Sequence, residues 1–90
     1  METESPEGPL EVEVLFFARA RELAGCAAAR LHLPADSRVG AARCAVARRF
    51  PRLEAVLPSC RFALDEEFVG EGVALRNGVV LAVIPPVSGG

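Results

Sequence analysis

The stretch that decides the fold is Leu10–Ala18, LEVEVLFFA. Its side chains alternate in the way expected of a β-strand that buries one side. The apolar face carries Val12, Val14 and Phe16. The other face changes from charged to apolar along the strand, in the order Glu11, Glu13, Leu15 and Phe17. This pattern predicts a strand with one side in the core and a second side that becomes apolar towards its end.

A second strand is predicted at Ala28–Pro34, AARLHLP, where Leu31 and Leu33 alternate with polar neighbours. The intervening segment RARELAG is typical of a short helical turn that ends at Gly25. It is too short for the crossover helix that two parallel strands would need, so the two strands are predicted to pair antiparallel.

One long helix follows, with Asp36 or Ser37 predicted as its N-cap and Pro51 at its end. Its apolar positions recur at spacings of three and four residues and form one stripe. The stripe consists of Val39, Ala42, Val46 and Phe50. Arginines lie mostly off this stripe, which favours a solvated face over a binding patch. They are Arg38, Arg43, Arg48 and Arg49.

The last third of the chain predicts three more strands. CRFALDEEFV is typical of a strand, a turn at 65–67 and a strand, and Asn77-Gly78 marks a further turn. The β-branched run Val79–Ile84 predicts a central or near-central strand. The expected order is therefore β-β-α-β-β-β, an α+β fold with a mixed sheet. One helix covers only one face of a sheet, so the other face must be polar or must meet a partner.

Composition narrows the possible functions. The 90 residues predict one small domain, and the net charge of −2 disfavours a nucleic-acid binder. No apolar run reaches the ~20 residues that a membrane span needs. Met1–Pro9 is predicted to be a disordered leader, because it is acidic and lacks the basic start of a signal peptide. The three cysteines are widely spaced and indicate reduced thiols in a cytoplasmic protein.

The chain offers few reactive side chains. It has no glycine-rich phosphate loop, and the single histidine, His32, excludes most triads and metal sites. Glu66 and Glu67 are adjacent but are expected to face solvent on a turn. The remaining group is the C-terminal carboxylate in IPPVSGG, residues 84–90. Two prolines stiffen the base of this segment and two glycines give an unhindered tip, although linkers and cloning scars also end in Gly-Gly.

Two segments, VLFFARARELAG and the terminal PPVSGG, carry a family resemblance together with the predicted element order. The chain resembles the small subunits of molybdopterin synthases, which are sulfur carriers with a ubiquitin-like β-grasp fold. The resemblance extends from Leu10 to Gly90. The helix stripe and FALDEEFV also fit it. Ala42 and Val46 are smaller than the family's usual leucines, and NGVVL is apolar where acidic residues usually follow the turn glycine.

The resemblance implies a mechanism for the C-terminus. A ubiquitin-activating-type adenylyltransferase and sulfurtransferase would use ATP to adenylate Gly90 and convert it to a thiocarboxylate. The tail residues Val87, Ser88 and Gly89 would then carry the sulfur into the large synthase subunit. There the sulfur would pass to cyclic pyranopterin phosphate in molybdenum cofactor biosynthesis. The expected assembly is a heterotetramer whose catalytic side chains belong mainly to the large subunit, so this chain would be a carrier that binds no cofactor itself.

The same resemblance and the strand parity together predict a partner surface at Phe17, Phe68 and Ile84. The alternative is that these side chains pack under loops. The expected organisation is a leader at 1–9, a domain at 10–86 and a flexible reactive tail at 87–90. Three other functions remain open: a sulfur carrier for thiamine synthesis or tRNA thiolation, a ubiquitin-like protein modifier, and an interaction domain with an inert tail.

Overall fold

The computed structural model describes residues 9–86 of the chain. The predicted leader, apart from Pro9, and the predicted tail Val87–Gly90 lie outside the described residues. The strands are β1 (Leu10–Phe16), β2 (Ala28–Leu33), β3 (Arg61–Leu64), β4 (Glu67–Val69) and β5 (Val80–Ile84). The helices are α1 (Ala18–Ala24) and α2 (Val39–Arg49), with short 3-10 turns at Pro51–Leu53 and Leu57–Ser59.

The strands form one mixed sheet in the order β2-β1-β5-β3-β4. β1 and β5 pair parallel, whereas β1–β2, β3–β5 and β3–β4 pair antiparallel. The predicted antiparallel pairing of the first two strands and the predicted central position of the last strand are both confirmed. The α+β class is confirmed as well.

The core lies between the sheet and α2, on one side of the sheet only. Val12, Val14 and Phe16 of β1 point into it, as their parity predicts. Fully buried side chains also come from β5, α2, α1 and the segment after α2, and they include Leu81, Val83, Val39, Ala42, Val46, Ala20 and Leu53. Phe50, at the end of α2, places its ring edge-on against that of Phe16, with ring centres 5.1 Å apart. The predicted stripe of α2 is therefore its core face.

The start of α2 differs from the prediction. The N-cap is Arg38, and no side chain caps the helix, so Asp36 and Ser37 were wrong as capping residues. Ser37 is instead buried, and its carbonyl oxygen accepts a hydrogen bond from the backbone N–H of Leu75 at 3.0 Å.

The first amide groups of α2 are hydrogen-bonded by a loop distant in sequence, residues 71–73. The N–H groups of Val39 and Gly40 donate to the carbonyl oxygens of Val73 and Glu71, each at 2.9 Å. Arg38 donates from its guanidinium to the carbonyl of Gly72 at 2.7 Å, and an ion pair of 3.3 Å joins Arg43 to Glu71. Backbone carbonyls thus satisfy the amide groups that a helix leaves free at its N-terminus. A sequence pattern based on local side chains cannot reveal such a partner.

Both predicted turns are present, with adjusted roles. Asp65 and Glu66 form the turn between β3 and β4, while Glu67 already belongs to β4. Gly78 adopts the left-handed conformation at φ 84°, but the segment directly before it, 70–77, is not a strand, so this turn does not close a two-stranded hairpin. Instead, the side-chain oxygen of Asn77 accepts from the N–H of Glu11, and the Gly78 N–H donates to the Glu11 carbonyl, each at 2.7 Å. The turn therefore fastens the beginning of β5 to the beginning of β1.

α1 ends as predicted, because Gly25 takes a left-handed conformation and its N–H donates to the Arg21 carbonyl at 3.0 Å. Between α2 and β3 the chain forms the two short 3-10 turns, Pro51–Leu53 and Leu57–Ser59. Within residues 9–86, no helix is both long and apolar enough to span a membrane.

Two glycine-to-alanine substitutions should change stability in opposite directions. Gly40 lies inside α2, and a Cβ there would make ordinary contacts of 3.4–3.5 Å with Glu71. Gly40→Ala should therefore stabilise the protein by about 0.5 kcal/mol through the smaller entropy of the unfolded chain. Gly25→Ala should destabilise it by about 1 kcal/mol, because a Cβ meets no atom there but is strained at positive φ.

The measurement is the free energy of unfolding from urea titrations of the two variants and the parent protein. Shifts of the same sign for both variants would contradict the described conformations of these two glycines.

Candidate functional site

The sheet face that α2 leaves open carries an apolar groove of about 490 Å³. Its apolar lining comes from β1, β3, β4 and β5 and consists of Leu15, Phe17, Ala63, Phe68, Val80, Ala82 and Ile84. Asp65 and Glu66 border it at the β3–β4 turn. The face predicted to be polar or to meet a partner is therefore mainly apolar along β5.

The strand register explains the shape of this groove. Ala82 of β5 lies opposite Leu15 on one side and opposite Ala63 on the other. Ala63 and Ala82 are neighbours with small side chains, so they form the floor of the groove. The larger side chains of Phe17 and Phe68 form its walls and are 45% and 57% exposed. Among residues 9–86, three large apolar side chains are exposed, namely Phe17, Phe68 and Val73, and the first two border this groove.

All three residues of the predicted partner surface line this one groove. Phe17 and Phe68 are exposed, and Ile84 is partly buried at the end of β5. They do not pack under a loop, which was the alternative interpretation. Their role in binding a partner remains a prediction. The floor residues Ala63, Val80 and Ala82 were not among the predicted site residues. Their parity along β3 and β5 places them on this face, but only the register shows that they are neighbours.

Charged groups differ between the two ends of the groove. At the end where β5 begins, Asp65 exchanges hydrogen bonds with Val80: its N–H donates to the Val80 carbonyl at 3.0 Å, and its carboxylate accepts from the Val80 N–H at 3.2 Å. At the end where β5 stops, Arg61 lies opposite Ile84. Its guanidinium is 4.0 Å from the centre of the Phe68 ring, a cation–π contact.

The base of the predicted tail lies at the same end as Arg61. β5 stops at Ile84, Pro85 is buried and Pro86 is exposed. Ile84 also borders a second hollow, of about 580 Å³, together with residues of α1 and of the segment before β3. The predicted reactive residue Gly90 and the tail residues Val87, Ser88 and Gly89 lie outside the described residues. The described chain thus ends next to Ile84, which borders both the groove and this second hollow.

The three thiols are free and lie apart from the groove. Cys44 is exposed on α2, while Cys26 and Cys60 are half-buried. The Cys60 thiol donates to the Val56 carbonyl at 3.3 Å, and burial raises its pKa, which keeps the thiol protonated and weakly nucleophilic. Within the described part of the chain, no three metal-ligating side chains come together.

The amino-acid sequence is similar to those of named proteins. The chain is 38% identical over 81 residues to a molybdopterin synthase sulfur carrier subunit from Arabidopsis thaliana. The match covers 90% of this chain and 84% of the relative.

Solved structures share the fold. SAMP1 from Haloferax volcanii, a small archaeal modifier protein, superposes with a TM-score of 0.84 at 31% identity. That match covers 89% of this chain and 99% of the other. A complex of subunits 1 and 2 of the molybdopterin-converting factor from Helicobacter pylori contains a similar chain, with a TM-score of 0.67. At 24% identity, with coverage of 90% and 100%, that likeness concerns the fold alone.

The shared fold is the ubiquitin-like β-grasp, as the resemblance implied. A family model described as the ThiS family matches residues 14–90. This match includes four of the five strands in full, the last three residues of β1 and the terminal Gly-Gly. With most of the domain and its terminal segment covered by one family, the chain belongs to the ThiS family.

Proposed function

We propose that this chain is the sulfur carrier subunit of a molybdopterin synthase. The observation that carries the proposal is the similarity, at 38% identity over nearly the whole domain, to a relative of that name. The family match continues through Gly90, so the terminal Gly-Gly belongs to the family pattern. Relatives for thiamine synthesis or tRNA thiolation would share the chemistry, but the names of the similar proteins favour molybdopterin.

The proposed reactive group is the α-carboxylate of Gly90. A carboxylate is a poor acyl donor, so an activating enzyme first transfers AMP from ATP to it and releases pyrophosphate. A sulfur nucleophile then displaces AMP and leaves a thiocarboxylate on Gly90. Glycine suits this step because it has no Cβ to hinder attack on its carbonyl carbon or passage through a narrow channel. ATP is used by the activating enzyme, and this chain holds no cofactor of its own.

The proposed partner is the large subunit of the synthase, in a heterotetramer. The related chain in the Helicobacter pylori complex is assembled with subunit 2 of its factor, which supports such a partner. We assign the contact to the open face, because its groove joins two exposed phenylalanines beside the base of the tail. An apolar face of this kind is typical of a protein–protein contact. The large subunit then supplies the catalytic side chains, and this chain delivers the sulfur to cyclic pyranopterin phosphate.

A ubiquitin-like protein modifier is the second candidate. The observation in its favour is the close superposition on SAMP1, with a TM-score of 0.84. Both functions begin with adenylation of the terminal glycine, but they end in different products. A carrier yields a thiocarboxylate on itself, whereas a modifier yields an amide bond to another protein. We place the chain in the cytoplasm, since three free thiols suit a reducing compartment.

Phe17→Asp should abolish binding to the large subunit while the domain remains folded. The substitution places a charge in the apolar groove, and burying an unpaired carboxylate in an interface is costly. The fold should tolerate it, because Phe17 is 45% exposed and is the N-cap residue of α1, where aspartate is favoured. Binding is measured by calorimetry with the large subunit of the same organism, and folding by circular dichroism.

Val73→Asp is the matched control, because Val73 is also exposed but lies outside the groove. It should bind as the parent does. Unchanged binding of Phe17→Asp would exclude the open face as the contact surface.

Removal of Gly90 should eliminate sulfur transfer without loss of stability. The free energy of unfolding should change by less than about 0.5 kcal/mol, as for most surface changes. Activity should fall at least ~100-fold, because a displacement of about 1 Å in the reacting carbon has effects of that order. Gly89→Val should fail as well, by blocking the channel. The readout is molybdopterin formed with the large subunit.

Mass spectrometry gives the deciding measurement for Gly90. After incubation with ATP, a sulfur source and the activating enzyme, one oxygen should be replaced by sulfur, and fragmentation should locate it on Gly90. Adducts of Gly90 with lysines of other proteins would favour the modifier instead. Molybdopterin formed by the chain lacking Gly90 would refute the carrier proposal.

The cysteines should be dispensable for sulfur transfer. The sulfur is carried on a carbonyl carbon, and the described structure shows no paired base beside a thiol that would activate it. A variant with serine at Cys26, Cys44 and Cys60 should therefore form the thiocarboxylate at the parental rate. A folded triple variant that cannot accept sulfur would show that a thiol takes part.

A further inference from the structure

The open face has an acidic end. Where β5 begins, Glu13 lies opposite Val80 in the parallel pair, and Asp65 is hydrogen-bonded to Val80 from the other side. Glu66 follows on the same turn and borders the groove. Asp65 and Glu66 border the groove, and Glu13 is next to its lining residue Val80. Glu11, further along β1, is paired with Arg30 at 3.0 Å, so part of its charge is balanced within this chain.

The opposite end of the face is basic. Arg61 lies across from Ile84, where the chain leaves the sheet, and its guanidinium stacks on the exposed ring of Phe68. Val80 and Ile84 are four residues apart on β5, which corresponds to about 13 Å along a strand. This exceeds the Debye length of about 8 Å at physiological salt. A partner therefore experiences two separate charged ends and not one averaged surface.

Glu66 occupies a backbone position that favours another residue. Asp65 and Glu66 form a two-residue turn with φ of 47° and 76°, the positive values that a type I′ hairpin requires. The second position of such a turn favours glycine, and aspartate–glycine would form it with little strain. A glutamate in this conformation is a local cost to the fold. Glu66, however, borders the groove and carries a negative charge there.

We propose that the open face is polarised by charge and thereby sets the orientation in which the large subunit docks. The partner surface that fits it is an apolar ridge with lysine or arginine facing Asp65 and Glu66 and a carboxylate facing Arg61. This inference rests on the proposed function. Docking in this orientation brings the tail base, at Pro85 and Pro86, to the acidic side of the partner's ridge. The reversed orientation would place like charges together at both ends, which is unfavourable.

The test is the rate of association with the large subunit of the same organism, measured by stopped flow at about 20 mM and about 500 mM salt. Glu66→Gln and Arg61→Gln should each slow association about threefold at low salt, and the differences should shrink at high salt. Arg61→Lys should associate as the parent does, because it retains the charge and loses only the planar stacking. Glu54→Gln is the matched control, since Glu54 is exposed and lies outside the groove lining.

Glu66→Gly separates charge from backbone strain. It should slow association as much as Glu66→Gln does, while its melting temperature rises by roughly 4 °C because the left-handed position is relieved. Glu66→Gln, which keeps the strained backbone, should melt as the parent does. A variant that is more stable but slower to bind is the signature of a residue retained for its charge.

Two outcomes would overturn the proposal. Faster association of Arg61→Gln would mean that the partner is basic at both ends. Rates for Glu66→Gln and Arg61→Gln equal to that of Glu54→Gln would mean that charge plays no part in docking. Phe17→Asp distinguishes this failure from a failure of the proposed contact: if it still abolishes binding, only the polarity is wrong, and if it binds normally, the open face itself is not the interface.

Discussion

The parallel pairing of β1 with β5 is the constraint on which the rest of the structure depends. It joins strands near the two ends of the described chain, with Val14 opposite Leu81 and Phe16 opposite Val83. All four side chains point to the same face and are buried. Because side chains alternate along a strand, the same register sends Leu15 and Ala82 to the other face. The core and the groove therefore lie on opposite faces of the same strand pair. A change in the β1–β5 register would alter both.

Much of this arrangement can be predicted from the sequence, because it depends on alternation within single strands. Leu10–Ala18 predicts both the buried face and the apolar end of the open face, and the β-branched run before Pro85 predicts the central strand. The parts that sequence reasoning missed depend on contacts between distant segments. The carbonyls that begin α2 come from residues 71–73, and the groove floor arises where Ala63 meets Ala82. Alanine occurs in strands, helices and loops alike, so Ala63 and Ala82 do not mark a groove in the sequence. Every residue has a backbone carbonyl, so the sequence does not show which carbonyls bind the start of α2.

The proposed site has two parts, a face of the sheet and a chemical group at the C-terminus. The open face belongs to the central strands of the sheet, where Ala82 is held between β1 and β3. The proposed reactive carbon lies beyond Pro86, at the end of the chain. Such a division suits a carrier that must present one carbon atom to successive partners. Under the proposed function, the face gives affinity and orientation, and the chemistry depends on what each partner places around Gly90. Few reactive side chains are then needed in the domain itself.

The way in which α2 begins has a consequence for how the chain folds. A helix capped by its own side chains can form its first turn before the rest of the protein is in place. Here the first amide groups of α2 are satisfied by carbonyls that lie more than 30 residues later in the chain, at Glu71 and Val73. Closing so long a loop costs entropy before the contact is gained. We therefore expect the N-terminus of α2 to become stable late in folding, although the helix precedes β3 and β4 in the chain. Its first hydrogen bonds form only after β3 and β4 have placed the loop at 71–73 next to it.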